Sequence, residues 1–305
     1  MHETVLLAEA VDALITRSEG VYIDGTFGRG GHSREILKRL SSAGSVLGID
    51  KDPQAIAAGI ELGQQDSRFL IVQGSFAETK HYVSQQALGK VDGVLLDLGV
   101  SSPQLEQSER GFSFLRDGQL DMRMNPQAGQ SAAEWLAVAG EAEIAKVLKE
   151  LGEERYAKRL ARAIVGERAQ SSIETTLHLA KVIADAHPAW VKGKHPATKS
   201  FQAIRIFINN ELGDLAQFLD QVLDVLAVGG RLVVISFHSL EDRIVKRYIK
   251  HYVRGDELPA SVPVTEDQLN RRLKHIGKAI KAGDEEVDQN VRSRSAIMRV
   301  AEKIA

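Results

Sequence analysis

The stretch from Val21 to His32, Val-Tyr-Ile-Asp-Gly-Thr-Phe-Gly-Arg-Gly-Gly-His, restricts this chain more than any other. Three residues of strand propensity run into an acid and a glycine-dense turn, and Ser33-Arg-Glu-Ile-Leu-Lys-Arg-Leu then has the apolar spacing of a helix. In that order, glycines let backbone approach a nucleotide-type ligand closely, and the helix start offers it free N–H groups. A dinucleotide fingerprint would continue G-x-G-x-x-G, but counted from Gly28 the glycines are Gly28 and Gly30, with Ser33 where the third belongs. No Gly-Lys-Ser/Thr follows, which excludes a P-loop.

A chain of 305 residues can bury a sizeable core in one large domain or two. The opening Met-His-Glu-Thr-Val-Leu-Leu-Ala-Glu has acids and no basic n-region, and no apolar run approaches the ~20 residues of a membrane span, so a cytoplasmic protein is expected. Cysteine is absent, which rules out disulfides, thiolate metal sites and a catalytic thiol. The nine histidines show no H-E-x-x-H or other ligand spacing, and no metal is expected. Net charge is −2, but residues 141–210 and 237–281 carry +4 each against −10 for the remainder. Two basic segments on an acidic body suit a polyanionic partner, and equally suit solvated helix faces.

Taken in order, Thr4 to Ile15 reads as a helix with Val5, Ala8, Val11, Leu14 and Ile15 on one face. Ser45 to Asp50 is the second strand, ending on an acid placed to accept two hydrogen bonds from a ribose diol; capping the helix that starts near Pro53 is the alternative for Asp50, a role Asp52 could fill. Arg68 to Gln73 is the third strand, and Phe76 follows it where an adenine ring would lie. Val91 to Leu98 suits a strand buried on both faces, and Asp97 with the loop beyond it belongs at a ligand site, because open α/β sheets bind outside their carboxyl ends.

The next convincing strand starts only at Arg231, ~90 residues later than one crossover requires. The surplus has helical periodicity at 142–151, 156–165 and 177–186, which predicts an all-helical domain, residues 105–210, inserted into a domain of residues 1–104 and 211–305. After Ser236, Ser239 is expected to cap a basic helix with Asp242 at the capping-box position. Arg254 to Asn290 reads as a mobile basic segment, and Ser295 to Ala301 as a last strand.

The Val21–His32 stretch resembles motif I of the Rossmann-like class I S-adenosylmethionine methyltransferases, in which Asp24 would serve the ligand's amino group and the turn at Gly28, Gly30 and Gly31 its carboxylate. Six strings extend the likeness: 24–33, Leu-Leu-Asp-Leu-Gly-Val-Ser-Ser-Pro-Gln-Leu at 95–105, Glu-Arg-Gly-Phe-Ser-Phe at 109–114, Leu-Asp-Met-Arg-Met at 120–124, His-Pro-Ala-Thr at 195–198 and Ser-Phe-His-Ser-Leu-Glu-Asp-Arg at 236–243. Together, in this order, they resemble the RsmH (MraW) family, bacterial 16S ribosomal RNA cytosine-N4 methyltransferases, from about Thr4 to Glu302. The resemblance implies an α/β Rossmann-like fold with a helical insertion and methylation of N4 of cytidine 1402 in the small ribosomal subunit. It also implies cofactor contacts at Gly30, Gly31, His32, Asp50, Phe76, Asp97 and Gln104, the last from the resemblance alone.

A chain without cysteine cannot form the thiol adduct used to methylate carbon 5 of a pyrimidine, which agrees with a nitrogen or oxygen acceptor. Cytosine N4 is a poor nucleophile, so direct displacement needs it held in line and needs acceptors for its N–H groups; Asp97 and Ser101 or Ser102 are the candidates. Phe112, Phe114 and Phe237 are candidates to stack on the base, and His238 to reach the rim. Candidate phosphate contacts are Lys192, Lys194, His195, Lys199 and Arg205, with the inserted domain gripping the RNA; a homo-oligomer is compatible with all of this. Two other readings are a non-catalytic RNA assembly factor and a nicotinamide oxidoreductase, the second disfavoured by the missing third glycine and by the acid before the turn.

Overall fold

The computed structural model describes residues 4–189, 193, 195–256 and 269–305; Lys192 and Lys194 lie outside the described residues, as does most of the polar run after Arg254. Two compact units emerge, residues 1–99 with 212–305, and residues 100–211. The first begins with α1 (Leu7–Leu14), β1 (Val21–Asp24), α2 (Gly31–Arg39), β2 (Ser45–Asp50), α3 (Pro53–Gln65), β3 (Phe69–Gln73), α4 (Thr79–Gln85) and β4 (Val91–Asp97). The second holds α5 (Ser102–Glu106), α6 (Ala132–Val138), α7 (Glu141–Gly152), α8 (Ala157–Arg168), α9 (Thr176–Ala186) and α10 (Thr198–Ile208). The chain then returns through α11 (Glu211–Val225), β5 (Leu226–Ser236), α12 (Ser239–Arg254), β6 (Leu273–His275), β7 (Ile280–Lys281), α13 (Asp284–Gln289) and β8 (Ile297–Lys303).

The strands form one sheet in the order β3-β2-β1-β4-β5-β8-β6, parallel from β3 to β5, with β8 antiparallel to β5 and β7 also pairing β8. Side chains alternate along each strand, so the near-continuous apolar runs feed two cores. Ile23, Leu47, Leu96 and Val234 face one core with Phe218 and Val222 of α11 and Val245 of α12. Tyr22, Val46, Leu95 and Val233 face the other, with Val11 of α1, Ile36 of α2 and Leu62 of α3. This Rossmann-like sheet, covered on both sides, is the expected α/β class.

The helical unit has its own core, in which Ile144 and Leu148 of α7, Leu160 and Ile164 of α8, Leu179 and Ile183 of α9 and Phe201 of α10 meet at helical spacing. Ser131 caps α6, accepting from the Glu134 N–H at 3.2 Å while Glu134 accepts from the Ser131 N–H at 2.7 Å.

Three details differ from the sequence expectation. The compact units divide after Gly99 and after Glu211, so Ser101, Ser102 and Gln104 fall in the helical unit. Ser239 is the first residue of α12 and His238 the extended residue before it; the carboxylate that turns back belongs to Glu241, which accepts from the Phe237 N–H at 2.9 Å. The described part of the polar run after Arg254 is not shapeless, since it holds β6, β7 and α13. No described helix is long and apolar enough to cross a membrane.

Candidate functional site

The sheet grows outward from β1 in two directions, through β2 on one side and β4 on the other. Loops leaving β1 and β4 therefore diverge, and such a switch point opens a crevice at the carboxyl edge. Asp24, Asp50 and Asp97 are the final residues of β1, β2 and β4, so the topology gathers three carboxylates at that edge.

The glycine turn is laced to the strand ends. Asp24, 1% exposed, accepts from the Ser33 hydroxyl at 2.7 Å and more weakly from the Thr26 N–H at 3.3 Å. Asp50 accepts from the Gly28 N–H at 2.7 Å and the Asp52 N–H at 2.9 Å, while Asp52 caps α3 by accepting from the Gln54 N–H at 3.0 Å. The helix-cap alternative thus goes to Asp52, and Asp50 instead steadies the turn. Thr26 Oγ1 accepts from the Asp97 N–H at 2.6 Å, tying the ends of β1 and β4 together.

Two glycines of the turn are required by space. Gly30 has φ +77°, and a Cβ there would lie 2.7 Å from the Phe27 ring. At Gly31 a Cβ would lie 1.9 Å from Thr4 Oγ1, because the segment before α1 rests on the start of α2. That segment is held from afar: the Leu6 N–H donates to Glu286 of α13 at 2.8 Å.

Electrostatically the crevice is acidic and under-answered. Burial pushes the Asp24 carboxyl up to about 6 against the hydrogen bonds from Ser33 and Thr26. Burial also raises Asp50, opposed by the N–H groups of Asp52 and Gly28. Asp97 is raised well above the carboxylate range, by burial first and then by the charges of Asp24, Glu241 and Glu286. His32, 4% exposed, is brought down to about 4 by burial, so it is neutral at pH 7. Its Nδ1 lies 3.9 Å from Asp97 Oδ2. Among the described residues, His32 Nε2 and Asp97 Oδ1 are buried without a hydrogen-bond partner. Unanswered buried polar atoms cost free energy, and two beside a glycine turn mark where a polar ligand can be received.

The remaining sequence candidates divide by unit. Phe76 stands in a short 3₁₀ turn after β3, half-buried and edge-on to Phe218 at 5.8 Å, with Ser75 and Lys51 beside it on Asp214. Phe237 and His238 lie at the end of β5, His238 Nε2 being 3.0 Å from Glu241 Oε1. In the helical unit, Gln104 Oε1 accepts from the Ser101 N–H at 2.9 Å, so these two residues and Ser102 build the first turn of α5. Phe112 is core, with the Arg110 guanidinium 5.8 Å from its ring, and Phe114 packs on His195 and Phe201, each at 4.7 Å. Arg205 is held in a fork by Glu211, both contacts 2.8 Å, and the Lys199 ammonium donates to the Glu153 carbonyl at 3.0 Å. Both cations already have protein partners.

Thr26, Ser33, Glu241 and Glu286 escaped the sequence reading. Thr26 and Ser33 could have been found, since both stand in the glycine stretch and Ser33 occupies the place of the third dinucleotide glycine. Glu286 carried no local signal, because its partner lies 280 residues away.

A sequence profile of the MraW methylase family matches residues 1–304. The ribosomal RNA small subunit methyltransferase H of Nitrosococcus oceani is 59% identical over 304 residues, 99% of this chain and 96% of its own length. The protein of the same name from Marinomonas sp. (strain MWYL1) is 55% identical over 305 residues, 100% of this chain and 97% of its own. With the profile matched from end to end and these identities sustained over whole chains, the chain belongs to the MraW methylase family.

Proposed function

We propose that this chain transfers a methyl group from S-adenosyl-L-methionine to N4 of cytidine 1402 in 16S ribosomal RNA, in the cytoplasm, by direct displacement without a covalent intermediate. Family membership and the names of its relatives support ribosomal RNA methylation. The observation that carries the cofactor is the crevice, where three strand-end carboxylates meet a glycine turn beside two buried, unpartnered polar atoms.

These residues fit a ligand with a cationic amino-acid end and a ribose. Asp24, Gly28, Gly30, Gly31, His32, Asp50, Phe76, Asp97 and Gln104 would hold it, and when bound it supplies a methyl group made electrophilic by its sulfonium. An ammonium beside Asp24 favours the ionised carboxylate and offsets the burial that raises it. Neutral His32 can donate or accept in the crevice without adding a charge that would repel a cation.

The amine of cytosine gives its lone pair to the ring, so the protein must orient it and accept hydrogen bonds from its N–H groups as positive charge develops. Asp97 fits that role through the buried oxygen that no described residue satisfies, and Ser101 or Ser102 would supply the second acceptor. The base must be unpaired or flipped out for N4 to be reached, and residues 105–210 would grip the RNA around it.

The test is to incubate the protein with S-adenosylmethionine and small subunits lacking their modifications, digest the RNA and identify the nucleoside by mass spectrometry. N4-methylcytidine at one position is expected. A different methylated nucleoside would discard the acceptor, and no transfer with cofactor bound would favour the assembly-factor reading.

A further inference from the structure

Helix α12 leaves the carboxyl edge of the sheet directly after β5 and turns Val245 and Ile249 into the core beneath it. Its exposed residues after Ser239 are Arg243, Lys246, Arg247, Lys250, His251 and Arg254, and all are basic. The spacing i, i+3, i+4, i+7, i+8, i+11 puts them on one face, a stripe about 16 Å long at 1.5 Å per residue. The helix's own acids are absent from it: Glu241 is buried, and Asp242 is taken by Arg299 in a fork at 2.7 and 3.1 Å. Solvated faces normally mix signs, as α7 does with Glu141, Glu143, Lys146, Lys149 and Glu150 exposed. Arg243 and Arg254 at its ends have partners within the protein, but Lys246, Arg247 and Lys250 between them are like charges lined up on one face, which repel one another and suit a polyanion.

We propose that this stripe binds the phosphodiester backbone of the RNA substrate, so that the sheet unit itself tracks the strand leading to its crevice. The proposal rests on the ribosomal RNA reading above. A basic amphipathic helix can also lie on a membrane, but that needs a free apolar face, and here the apolar face is spent in the core. Phosphates need only the cations, and the stripe begins about one turn into α12, on the helix that follows β5 from the carboxyl edge of the sheet.

The experiment compares the full-length protein with the triple variant Lys246→Gln, Arg247→Gln, Lys250→Gln in binding a fluorescein-labelled, mixed-sequence single-stranded RNA across a salt series. Losing three phosphate contacts makes the slope of log K against log[salt] shallower by about 2. Lys246→Arg with Lys250→Arg, which keeps the charge, retains the parent slope, and cofactor-induced thermal stabilisation is the same in all three proteins. An unchanged slope in the triple variant overturns the proposal while leaving the methylation reading intact. So does a loss confined to anionic lipid vesicles. If the parent protein fails to bind this RNA at all, the stripe proposal falls, while the methylation reading stands or falls on the nucleoside analysis above.

Discussion

Among the described residues, the charged groups buried in the helical unit are answered where they stand, Ser200 Oγ being its one buried side-chain polar atom without a partner, whereas in the crevice Asp97 Oδ1 and His32 Nε2 stand unanswered together. In the helical unit Asp121 and Arg123 pair in a fork at 2.8 and 2.6 Å, the Trp135 indole donates to Glu143 at 3.0 Å, and Arg205 meets Glu211. In the crevice, Asp24 and Asp97 are pushed toward protonation, His32 is held neutral, and Asp97 Oδ1 and His32 Nε2 have no partner among the described residues. Each unanswered buried group costs ~1–3 kcal/mol, so a fold that retains two in one crevice has another use for them. The contrast separates a unit built for its own stability from a site built for something else.

Breaking the contrast from the stable side has the largest effect. Leu160 is fully buried among the helices, and Leu160→Ala should cost about 2–5 kcal/mol in chemical denaturation of the helical unit. Cofactor affinity by calorimetry should shift by no more than a few-fold, since of the proposed contacts only Gln104 lies in the helical unit and Asp24, Asp50 and Asp97 lie in the other. A matching loss of affinity would show that the two regions are not separable in this way.

From the crevice side, Asp97→Asn keeps shape but replaces one carboxyl oxygen by an amide NH2 that only donates. Turnover should fall about 100–1,000-fold, while cofactor affinity shifts by only a few-fold. Equal losses in both would leave Asp97 as a cofactor contact and no more.

The same contrast explains what could be read without a structure. The strands of the sheet and the helices of the insertion show in apolar period, because each is held mainly by a buried face, and Asp24, Asp50 and Asp97 stand out because a strand must end to present them. The two units' division at Gly99 rather than Gln104 was not legible, since Ser101 and Gln104 form one turn of helix whose allegiance depends on packing. Nor was the tie from Glu286 to Leu6, or strand β6, only three residues long and defined by its partner β8. Ser239 satisfies the local rule for a cap, but the helix takes it in as its first residue and the carboxylate that turns back to the Phe237 N–H is that of Glu241.

The smallest effect carries the most information, because it has a sign. Asp24 holds its proton up to about pH 6 when folded and loses it near pH 3.9 when unfolded. Between those values the folded state binds more protons, so this group's contribution to stability falls as pH rises and is flat above about 6. Asn cannot ionise, so the stability of Asp24→Asn relative to the parent should grow from pH 4 to 6, by of order 1–3 kcal/mol, and then level off. His32 slopes the other way: its folded value is about 4 against ~6.5 unfolded, so its contribution rises through that window, and the relative stability of His32→Gln should decline from pH 4 to 6.5. Urea denaturation of the cofactor-free proteins at half-unit steps of pH reads both curves. If both are flat, neither group feels its burial and the contrast between the two regions is lost. Repeated with saturating S-adenosylmethionine, the Asp24→Asn curve should flatten while the His32→Gln curve keeps its slope, because an ammonium beside Asp24 restores an ordinary carboxylate there and does nothing of the kind for a neutral imidazole.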